Sequence, residues 1–573
     1  THMVPATLTP LTALPLTPNG KLDPTQLPAP RPRQQPTTPV AEAVAAAPLT
    51  PAEAALRAVW VKVLGQEDIG AADNFFSLGG DSITAIRLVS QARAAGIDFG
   101  VEDLFLNPTL GELAAVTAPT TEPAATPAPL APLPAGLPAD VEDAYPLAAL
   151  QLGMLYHVEL SGDPSLYHDL TGVRVHAAWS PESLRHALDV LTARHEILRT
   201  SFELAEYDEP LQLVHRAGSV RIPVEVEDLT TYGAQEQDKA LADWWERESA
   251  TAFDLTRAPL VRVHVGLRGA DDFQLSVSVH HILLDGWSFA RLMTELLDVY
   301  EDHLAGGSGR ELPALPAVRY RDFVAAERAV AASAEARAYW ARLLDGVRPL
   351  ALPPATPAAA EPADEAGPST LRVLPAPLAE GVRRAADRLG VPVKSVYLAA
   401  HLWALGRLTG ESDVVSGLCG NGRAEAEGSE LVLGVFLNVV PVRMAVGADT
   451  DWAALVRAAF DAERAHLPYR GYPLSRMAKD LGFEPFPVMF NYTDFHTVDA
   501  VATVGSLRAD DWSYADRTNF PLLVEVNKLA AGLGTELSIT VDPQETRTAV
   551  GPRLAGLLHE ALTHLTHHLA PAI

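Results

Sequence analysis

The sequence predicts a multidomain protein in which a small all-α helix bundle precedes a much larger α/β unit. Three observations predict this fold class. At 573 residues the chain is too long for a single compact core. Two segments rich in proline and alanine, 28–48 and 118–139, cannot build a core and are typical of semi-rigid linkers. The short segment between them has helical periodicity, whereas the long segment after them carries both strand and helix patterns.

Composition excludes several classes of function. The formal net charge of −28 argues against nucleic acid and anionic membranes, which both require basic surface. The longest apolar runs, such as LVLGVFLNVVPV at 431–442, are too short to span a bilayer, and the chain shows no basic and apolar leader at its start. The single cysteine, Cys419, excludes an internal disulfide and is expected to be a buried thiol rather than a nucleophile. We therefore expect a cytoplasmic protein with neither nucleic acid nor membrane as a partner.

The small unit, residues 49–117, is predicted to be helices joined by a long loop. In TPAEAALRAVWVKVLG, Thr50 is the expected cap and Pro51 the first helical residue. The loop DNFFSLGGDS contains Gly79-Gly80, a tight-turn signal, and leads into a helix that begins at Ser82 after Asp81. The residues expected on the buried helix faces are Leu56, Val59, Trp60 and Val63 in the first helix and Ile83, Ile86, Val89 and Ser90 in the second.

Ser82 allows two interpretations. Asp81 and Ser82 are good helix-capping residues and could do no more than that. No histidine occurs in the unit, so Ser82 has no local base and is not a self-sufficient nucleophile. A serine at a helix start after a Gly-Gly turn is suited to modification by another enzyme, and the helix dipole would favour a phosphodiester there.

A second candidate site lies in LSVSVHHILLDGWSFA, residues 275–290. The alternation predicts a strand in which His281 continues the apolar set, so we expect His281 to point into a buried place and His280 to point away from it. Asp285-Gly286 is a turn signal, and Ser288 is the expected cap of a following helix. The residues alone leave a core histidine or a general base open, and they disfavour a metal site because neighbouring strand residues face opposite ways.

The small unit resembles a known family. Its segment DNFFSLGGDSITAIRLV, residues 73–89, resembles the core motif of peptidyl carrier proteins in nonribosomal peptide synthetases. The resemblance implies that Ser82 carries 4′-phosphopantetheine, attached by a phosphopantetheinyl transferase. Residues 11–28 resemble the end of an adenylation domain, whose closing motif NGKLD contains Lys21. We therefore expect a tag remnant and an adenylation remnant at 1–30, a linker at 31–48 and the carrier domain at 49–117.

The large unit resembles a condensation domain of the same synthetases. Six motifs follow in the family's order: AYPLAALQLGMLYH (144–157), RHEILRTSF (194–202), HHILLDGWS (280–288), YRDF (320–323), GNGR (420–423) with LGVFLNVVPVR (433–443), and the looser VMFNYTDF (488–495). The resemblance implies two chloramphenicol-acetyltransferase-like lobes that form a V around a tunnel. We expect a linker at 118–140, an N-lobe at 141–310 and a C-lobe at 311–573.

The condensation-domain resemblance also implies site residues. His281 would face the tunnel as the catalytic residue, with His280, Asp285, Gly286 and Arg423 in support and no metal. Asp285 would pair with Arg423, as a buried carboxylate requires, and Gly286 would allow close backbone approach. His281 would accept or orient the proton of an amine that attacks a thioester; whether it is a true base or a positioning group stays open.

Several competing functions, within the family and outside it, stay open as well. Epimerisation domains carry EGHGRE where this chain has CGNGRAE, without the first acid, and heterocyclisation domains replace the two histidines. A silent domain that recruits partners and an acyltransferase that uses free coenzyme A belong to different functional classes. The carrier-first order implies an upstream donor, with an upstream adenylation domain, a downstream adenylation domain and acceptor carrier, and peptidyl thioesters as partners. QLGMLYH and HHILLDGW favour a donor with a D-configured or achiral terminal residue over an L residue.

Overall fold

A computed structural model describes residues 49–80, 82–119, 136–163, 166–307, 312–354, 369–426, 428–447, 450–493, 503–504, 507–515, 518–528 and 534–570. The described residues from Pro51 onward form one compact unit. Lys21 and the segments 1–30 and 31–48 that contain or follow it lie outside the described residues. The same holds for Asp81, for most of the linker 118–140 and for most of the proline-rich segment 353–368.

The helical unit at the start of the described chain has four helices and one short strand pair among its described residues: α1 (Pro51–Leu64), α2 (Ser82–Ala94), β1 (Ile97–Asp98), α3 (Val101–Leu106), α4 (Leu110–Val116) and β2 (Ala118–Pro119). Pro51 opens α1, and the helix buries the four residues that its periodicity predicts: Leu56, Val59, Trp60 and Val63. In α2, Ile86, Val89 and Ser90 are buried, also as predicted, whereas the side chain of Ile83 lies outside the described residues.

The first lobe is built around a six-stranded sheet and a smaller three-stranded one. Its elements are β3 (Val141–Pro146), α5 (Ala149–Ser161), β4 (His168–His176), α6 (Pro181–Arg194), β5 (Thr200–Glu203), β6 (Leu211–His215), β7 (Val224–Asp228), α7 (Ala234–Ser249), β8 (Val261–Gly269), β9 (Asp272–His280) and α8 (Gly286–Leu304). Ser180 caps α6 by accepting a hydrogen bond from the Ser183 backbone N–H. The small sheet has the order β3-β6-β5.

The second lobe contains another six-stranded sheet with helices packed against it. The elements of this part of the chain are α9 (Tyr320–Ala331), α10 (Ala334–Leu343), β10 (Ser369–Val373), α11 (Ala376–Leu389), α12 (Val393–Thr409), β11 (Asp413–Asn421), β12 (Leu437–Ala445), α13 (Trp452–His466), α14 (Leu474–Leu481), β13 (Val488–Thr493), β14 (Thr503–Val504), β15 (Leu507–Ala515), β16 (Leu522–Lys528), β17 (Thr535–Val541) and α15 (Val550–Leu569), of which β14 and β15 belong to the sheet of the first lobe. Its sheet has the order β10-β17-β16-β13-β11-β12. No helix within the described ranges has the length and apolar character needed to cross a bilayer.

Two strands from late in the chain leave the second lobe and complete the sheet of the first. That sheet has the order β14-β15-β4-β9-β8-β7, with β15 antiparallel to β4. The chain then returns to the second lobe with β16. Strand β9 is thereby central in its sheet, hydrogen-bonded to β4 on one side and to β8 on the other.

The helical unit packs against the second lobe. The ring of Phe460, on α13, lies 6.2 Å from the ring of Phe76 and 6.0 Å from that of Phe105. An Nη atom of Arg93, on α2, donates a hydrogen bond of 2.8 Å to the backbone oxygen of Glu425. Aromatic, hydrogen-bond and ion-pair contacts therefore join the unit to the lobe.

Candidate active site at the end of strand β9

His281 lies one residue beyond the end of β9 and is fixed from two sides. Its backbone N–H donates to the carbonyl oxygen of Tyr167 at 2.8 Å, and its Nδ1 lies 2.5 Å from Oδ2 of Asp169. Its side chain is 19% exposed, whereas that of Asp169 is 9% exposed. The segment 167–169, at the start of β4, therefore sets both the backbone and the ring of His281.

The Asp169 carboxylate determines which imidazole nitrogen of His281 carries the proton. A carboxylate only accepts hydrogen bonds, so Nδ1 is the protonated nitrogen, and the lone pair of the neutral ring is on Nε2. A carboxylate in this position also stabilises the imidazolium that forms when Nε2 takes up a proton. The arrangement suits His281 to accept a proton at Nε2.

His280 is the more deeply buried histidine of the pair, so the burial expected from strand parity is wrong. It is 4% exposed, its Nδ1 accepts a hydrogen bond of 3.1 Å from the Ile282 N–H, and its ring meets Phe253 edge to face. Burial, together with the neighbouring His281 and His168, lowers the pKa of His280 to about 3. Parity failed because β9 is covered on both faces: Ser276 and Ser278, on the polar face, are buried too.

Asp285, rather than Ser288, caps helix α8, which corrects the capping prediction. Its Oδ1 accepts a hydrogen bond of 2.7 Å from the Ser288 backbone N–H, and Gly286 is the first residue of the helix. The predicted apolar face is present: Leu292, Met293, Leu296, Leu297 and Tyr300 are buried, and Phe289 is partly buried. Ser288 instead donates from its hydroxyl to the Gly434 carbonyl.

Asp285 and Arg423 lie in direct contact in the interior. One Nη atom of Arg423 lies 3.0 Å from Oδ1 and 3.2 Å from Oδ2 of Asp285. The side chain of Arg423 is 0% exposed and that of Asp285 is 3% exposed. The guanidinium also lies 3.9 Å from the ring centroid of Phe436, whose backbone N–H donates to Asp285. Burial lowers the pKa of Arg423, and the Asp285 carboxylate opposes that shift.

Cys419 occupies the position at which the epimerisation motif has its first acid. It lies on β11 and is partly exposed by surface area. Its surroundings raise the pKa of the thiol to about 12, through burial first and then the negative charge of Asp285. A thiol that stays protonated is a poor nucleophile, which agrees with the expectation for this cysteine.

Helix α2 begins at Ser82, and the Gly-Gly turn before it has a steric reason. Gly79 has a φ of +92°, which side-chain-bearing residues rarely adopt. A Cβ on Gly80 would lie 2.2 Å from Cε1 of Phe75, so only glycine fits against that buried ring. The turn thus brings the backbone of Ser82 to the start of a 13-residue helix, where a phosphodiester on the serine is favoured by the dipole.

Comparison with known families identifies both parts of the chain. Residues 141–570 match the family model described as the condensation domain. The chain belongs to the condensation-domain family. Residues 54–116 match the model described as the phosphopantetheine attachment site, so the helical unit is a carrier domain. The predicted family, fold class and phosphopantetheine cofactor are thereby confirmed.

Curated relatives of the chain are synthetases. AMB antimetabolite synthetase AmbE of Pseudomonas aeruginosa is 39% identical over 518 residues, which are 87% of this chain and 24% of that protein. CymA of Salinispora arenicola, described as a probable non-canonical nonribosomal peptide synthetase, is 31% identical over 85% of this chain and 6% of its own length. Tyrocidine synthase 2 of Brevibacillus parabrevis is 29% identical over 85% and 13%. The chain spans a quarter or less of these relatives.

Solved structures share the fold of the condensation domain. The condensation domain of the monacolin K polyketide synthase MokA superposes with a TM-score of 0.63 at 19% identity, over 75% of this chain and 99% of that one. The first condensation domain of the calcium-dependent antibiotic synthetase, in complex with a substrate analogue, gives 0.62 at 22% identity over 75% and 98%. The two-lobed α/β architecture is therefore that of a condensation domain.

Sequence reasoning missed the partners of His281 in the condensation domain. Asp169 and Tyr167 lie 112 and 114 positions before His281 and outside all of the condensation-domain motifs. One signal was present, because aspartate is uncommon inside strands and Asp169 stands second in β4. Without the pairing of β4 with β9, nothing in the sequence connects that carboxylate to the histidine.

Proposed function

We propose that this chain carries an upstream aminoacyl or peptidyl group as a thioester on phosphopantetheine at Ser82, and that its condensation domain joins that group to the amine of an aminoacyl thioester on a downstream carrier. The observation that carries the proposal is the Asp169–His281 contact of 2.5 Å at the end of β9. It supports a histidine with its proton on Nδ1 and a lone pair on Nε2.

Each group of residues has a separate role in the proposed reaction. When bound, the phosphopantetheine arm supplies the acyl group as a thioester, an activated carbonyl whose sulfur leaves as a thiol. The hydroxyl of Ser82 holds the arm at the start of α2. His281 accepts or orients, at Nε2, the proton that the attacking amine loses, and Asp169 holds the ring in place. Asp285 and Arg423 join α8 to the segment after β11 and stabilise the fold around the site.

The partners follow from this chemistry. An upstream adenylation domain would supply the donor aminoacyl group, and a phosphopantetheinyl transferase would attach the arm to the carrier domain. A downstream adenylation domain and carrier would supply the acceptor. The positions of the two synthetase families in one chain support this order, with the attachment-site match at 54–116 and the condensation match at 141–570.

The proposal is tested by first loading the carrier domain and then measuring condensation. A phosphopantetheinyl transferase with a panel of aminoacyl coenzyme A donors should add one aminoacyl phosphopantetheine to the chain, detected by intact mass, and Ser82→Ala should abolish the addition. The loaded protein is then mixed with a panel of aminoacyl pantetheine acceptors, and dipeptidyl thioesters are quantified by mass spectrometry. We expect His281→Ala to slow their formation by about a hundredfold or more.

The controls separate the competing functions. His564→Ala, which removes an exposed histidine of α15, should load and condense at the wild-type rate. If the wild type is loaded but gives no dipeptidyl product with any acceptor of the panel, the result favours a silent recruiting domain. If the aminoacyl group on the loaded wild type exchanges its α-proton for deuterium in D2O without an acceptor, the result favours epimerisation. Equal condensation by wild type and His281→Ala would remove the catalytic role of His281.

A further inference from the structure

A hydrogen-bonded row of three side chains begins at Tyr167, in the segment that holds His281. The hydroxyl of Tyr167 donates to Oδ1 of Asn519 at 2.7 Å, and Nδ2 of Asn519 lies 3.1 Å from Nε2 of His157. His157 is on α5 and Tyr167 directly precedes β4, whereas Asn519 lies where the chain returns from β15 to β16. The row therefore joins the first lobe to the returning chain.

Tyr167 has an unusual backbone conformation. Its φ is +61°, in the left-handed region, which bulky residues rarely adopt. Such a conformation persists only where the surroundings hold it. The side chain is 5% exposed, and burial raises the pKa of its phenol, which keeps the hydroxyl protonated as a donor. The bond to Asn519 is therefore one of the contacts that fix this residue.

The strained residue is in direct contact with the site. The carbonyl of Tyr167 accepts the backbone N–H of His281, and Asp169, two residues further on, holds Nδ1 of the same histidine. A change in the position of Tyr167 therefore changes both attachments of His281 at once. Positioning errors of about 1 Å in a catalytic group can reduce a rate by about a hundredfold.

We propose that His157, Asn519 and Tyr167 form a positioning network that sets the orientation of His281 through the 167–169 segment. The inference rests on the proposed function, in which His281 handles the proton of the amine. None of the three is a catalytic residue in this proposal, because they act through Tyr167 and Asp169. The network also makes the orientation of His281 depend on the position of Asn519.

The hydrogen-bond chemistry specifies the substitutions. Tyr167 donates to the amide oxygen of Asn519, so the amide nitrogen is the donor toward His157, and Nε2 must be an unprotonated acceptor. Burial lowers the pKa of His157, which favours that neutral form. A glutamine at this position places an amide oxygen at a reach similar to that of Nε2, whereas alanine leaves Asn519 without its partner.

The experiment compares Tyr167→Phe, His157→Ala and His157→Gln with the wild type in single-turnover condensation by the loaded chain. We expect the first two to lower the rate at saturating acceptor by about tenfold, with the half-saturating acceptor concentration unchanged. His157→Gln should restore the wild-type rate. A matched control is Tyr300→Phe, which removes another hydroxyl bonded within the first lobe, about 21 Å along α8 from its first residue.

A second readout does not depend on condensation. The 13Cε1 NMR resonance of His281, assigned by its loss in His281→Gln, should shift in Tyr167→Phe and His157→Ala but not in His157→Gln or Tyr300→Phe. If the wild type fails to condense, the proposed function fails, and the NMR comparison still decides the network. An unchanged His281 resonance in Tyr167→Phe, or a His157→Gln variant as slow as His157→Ala, would overturn the proposal.

Discussion

Asp285 accepts hydrogen bonds from its own helix, α8, and from two residues far along the sequence. Its Oδ1 receives the Ser288 N–H, its Oδ2 receives the Phe436 N–H, and both oxygens lie within 3.2 Å of the Arg423 guanidinium. A buried carboxylate with this many donors is not an isolated charge in the interior. The residue therefore couples the start of α8 to the segment between β11 and β12.

We expect Asp285→Ala and Arg423→Met each to destabilise the fold by about 3–5 kcal/mol, because each leaves one buried charge or donor set unpaired. The double variant should lose less than the sum of the two single losses. Thermal unfolding of the four proteins measures both effects. Arg328→Ala is the control, since Arg328 and its partner Glu209 are each 48% exposed and such a pair contributes at most about 1 kcal/mol. Additive losses in the double variant would show that the two residues are not coupled.

Individual residues were predictable from sequence to different degrees. Periodicity identified the buried faces of α1 and α8, because helix spacing alone decides which side chains meet the core. The burial of His280 was not predictable from alternation, since layers cover both faces of β9. Asp169 was not predictable either, because its contact with His281 depends on strand pairing across 112 positions.

Helix α9, which carries the YRDF motif, is attached on one side to the first lobe and on the other to the segment before β12. Arg321 lies 2.7 Å from Asp143, and the hydroxyl of Tyr320 donates to the carbonyl of Val435 at 2.9 Å. Toward the end of the helix, Oε2 of Glu327 accepts the Ala149 N–H at 2.7 Å, at the start of α5. The helix is thus held at both ends by polar contacts.

Glu327 should give this helix a pH-dependent stability. Burial raises the pKa of Glu327 to about 7 from 4.5, against the opposing effects of the Ala149 N–H and Arg328. Between pH 4.5 and pH 7 the folded state binds more protons than the unfolded state. The stabilisation of the fold by the protonated Glu327 carboxyl is therefore complete below pH 4.5 and is lost as the pH rises through 7. The neutral form is thus the one that the fold prefers.

We therefore expect Glu327→Gln to be more stable than the wild type at pH 8, by up to about 3 kcal/mol, and equally stable near pH 4.5. Unfolding temperatures at both pH values measure the difference. Glu102, Asp103, Glu425 and Arg470 line the same cavity of about 350 Å³ as Glu327. Glu246→Gln, an exposed control on α7, should show no pH-dependent gain. The same difference at both pH values would mean that Glu327 does not titrate in this range.

The domain order and the fold class were predictable from the sequence, but the addition of β14 and β15 to the sheet of the first lobe was not. Motifs and linkers are local features of the sequence, and they suffice to order the domains. The pairing of β15 with β4 joins Arg508 to His176, more than three hundred positions apart, and no local pattern specifies such a partner. The docking of the carrier domain on α13 was equally inaccessible, because it depends on surfaces that form only after both parts fold.

The carrier domain contacts the second lobe through both apolar and polar side chains. Phe460 meets Phe76 and Phe105, and Glu425 accepts a hydrogen bond of 3.3 Å at its side chain from the Val101 N–H. Two aromatic pairs contribute about 1 kcal/mol each beyond their buried area. Because the buried area is lost as well, removing both pairs should weaken docking by at least about thirtyfold.

We expect Phe460→Ala and Glu425→Arg to slow condensation when the donor is carried by the chain's own carrier domain. Both should leave condensation of a soluble donor acyl-pantetheine unchanged, because neither residue contacts His281 or its partners among the described interactions. Small-angle X-ray scattering should show a larger radius of gyration for Phe460→Ala as the carrier domain leaves the lobe. Phe483→Ala removes an aromatic side chain of the second lobe that is 40% exposed and is the matched control. If Phe460→Ala slows the soluble donor as much as the carried one, the residue acts on the lobe itself and not on docking.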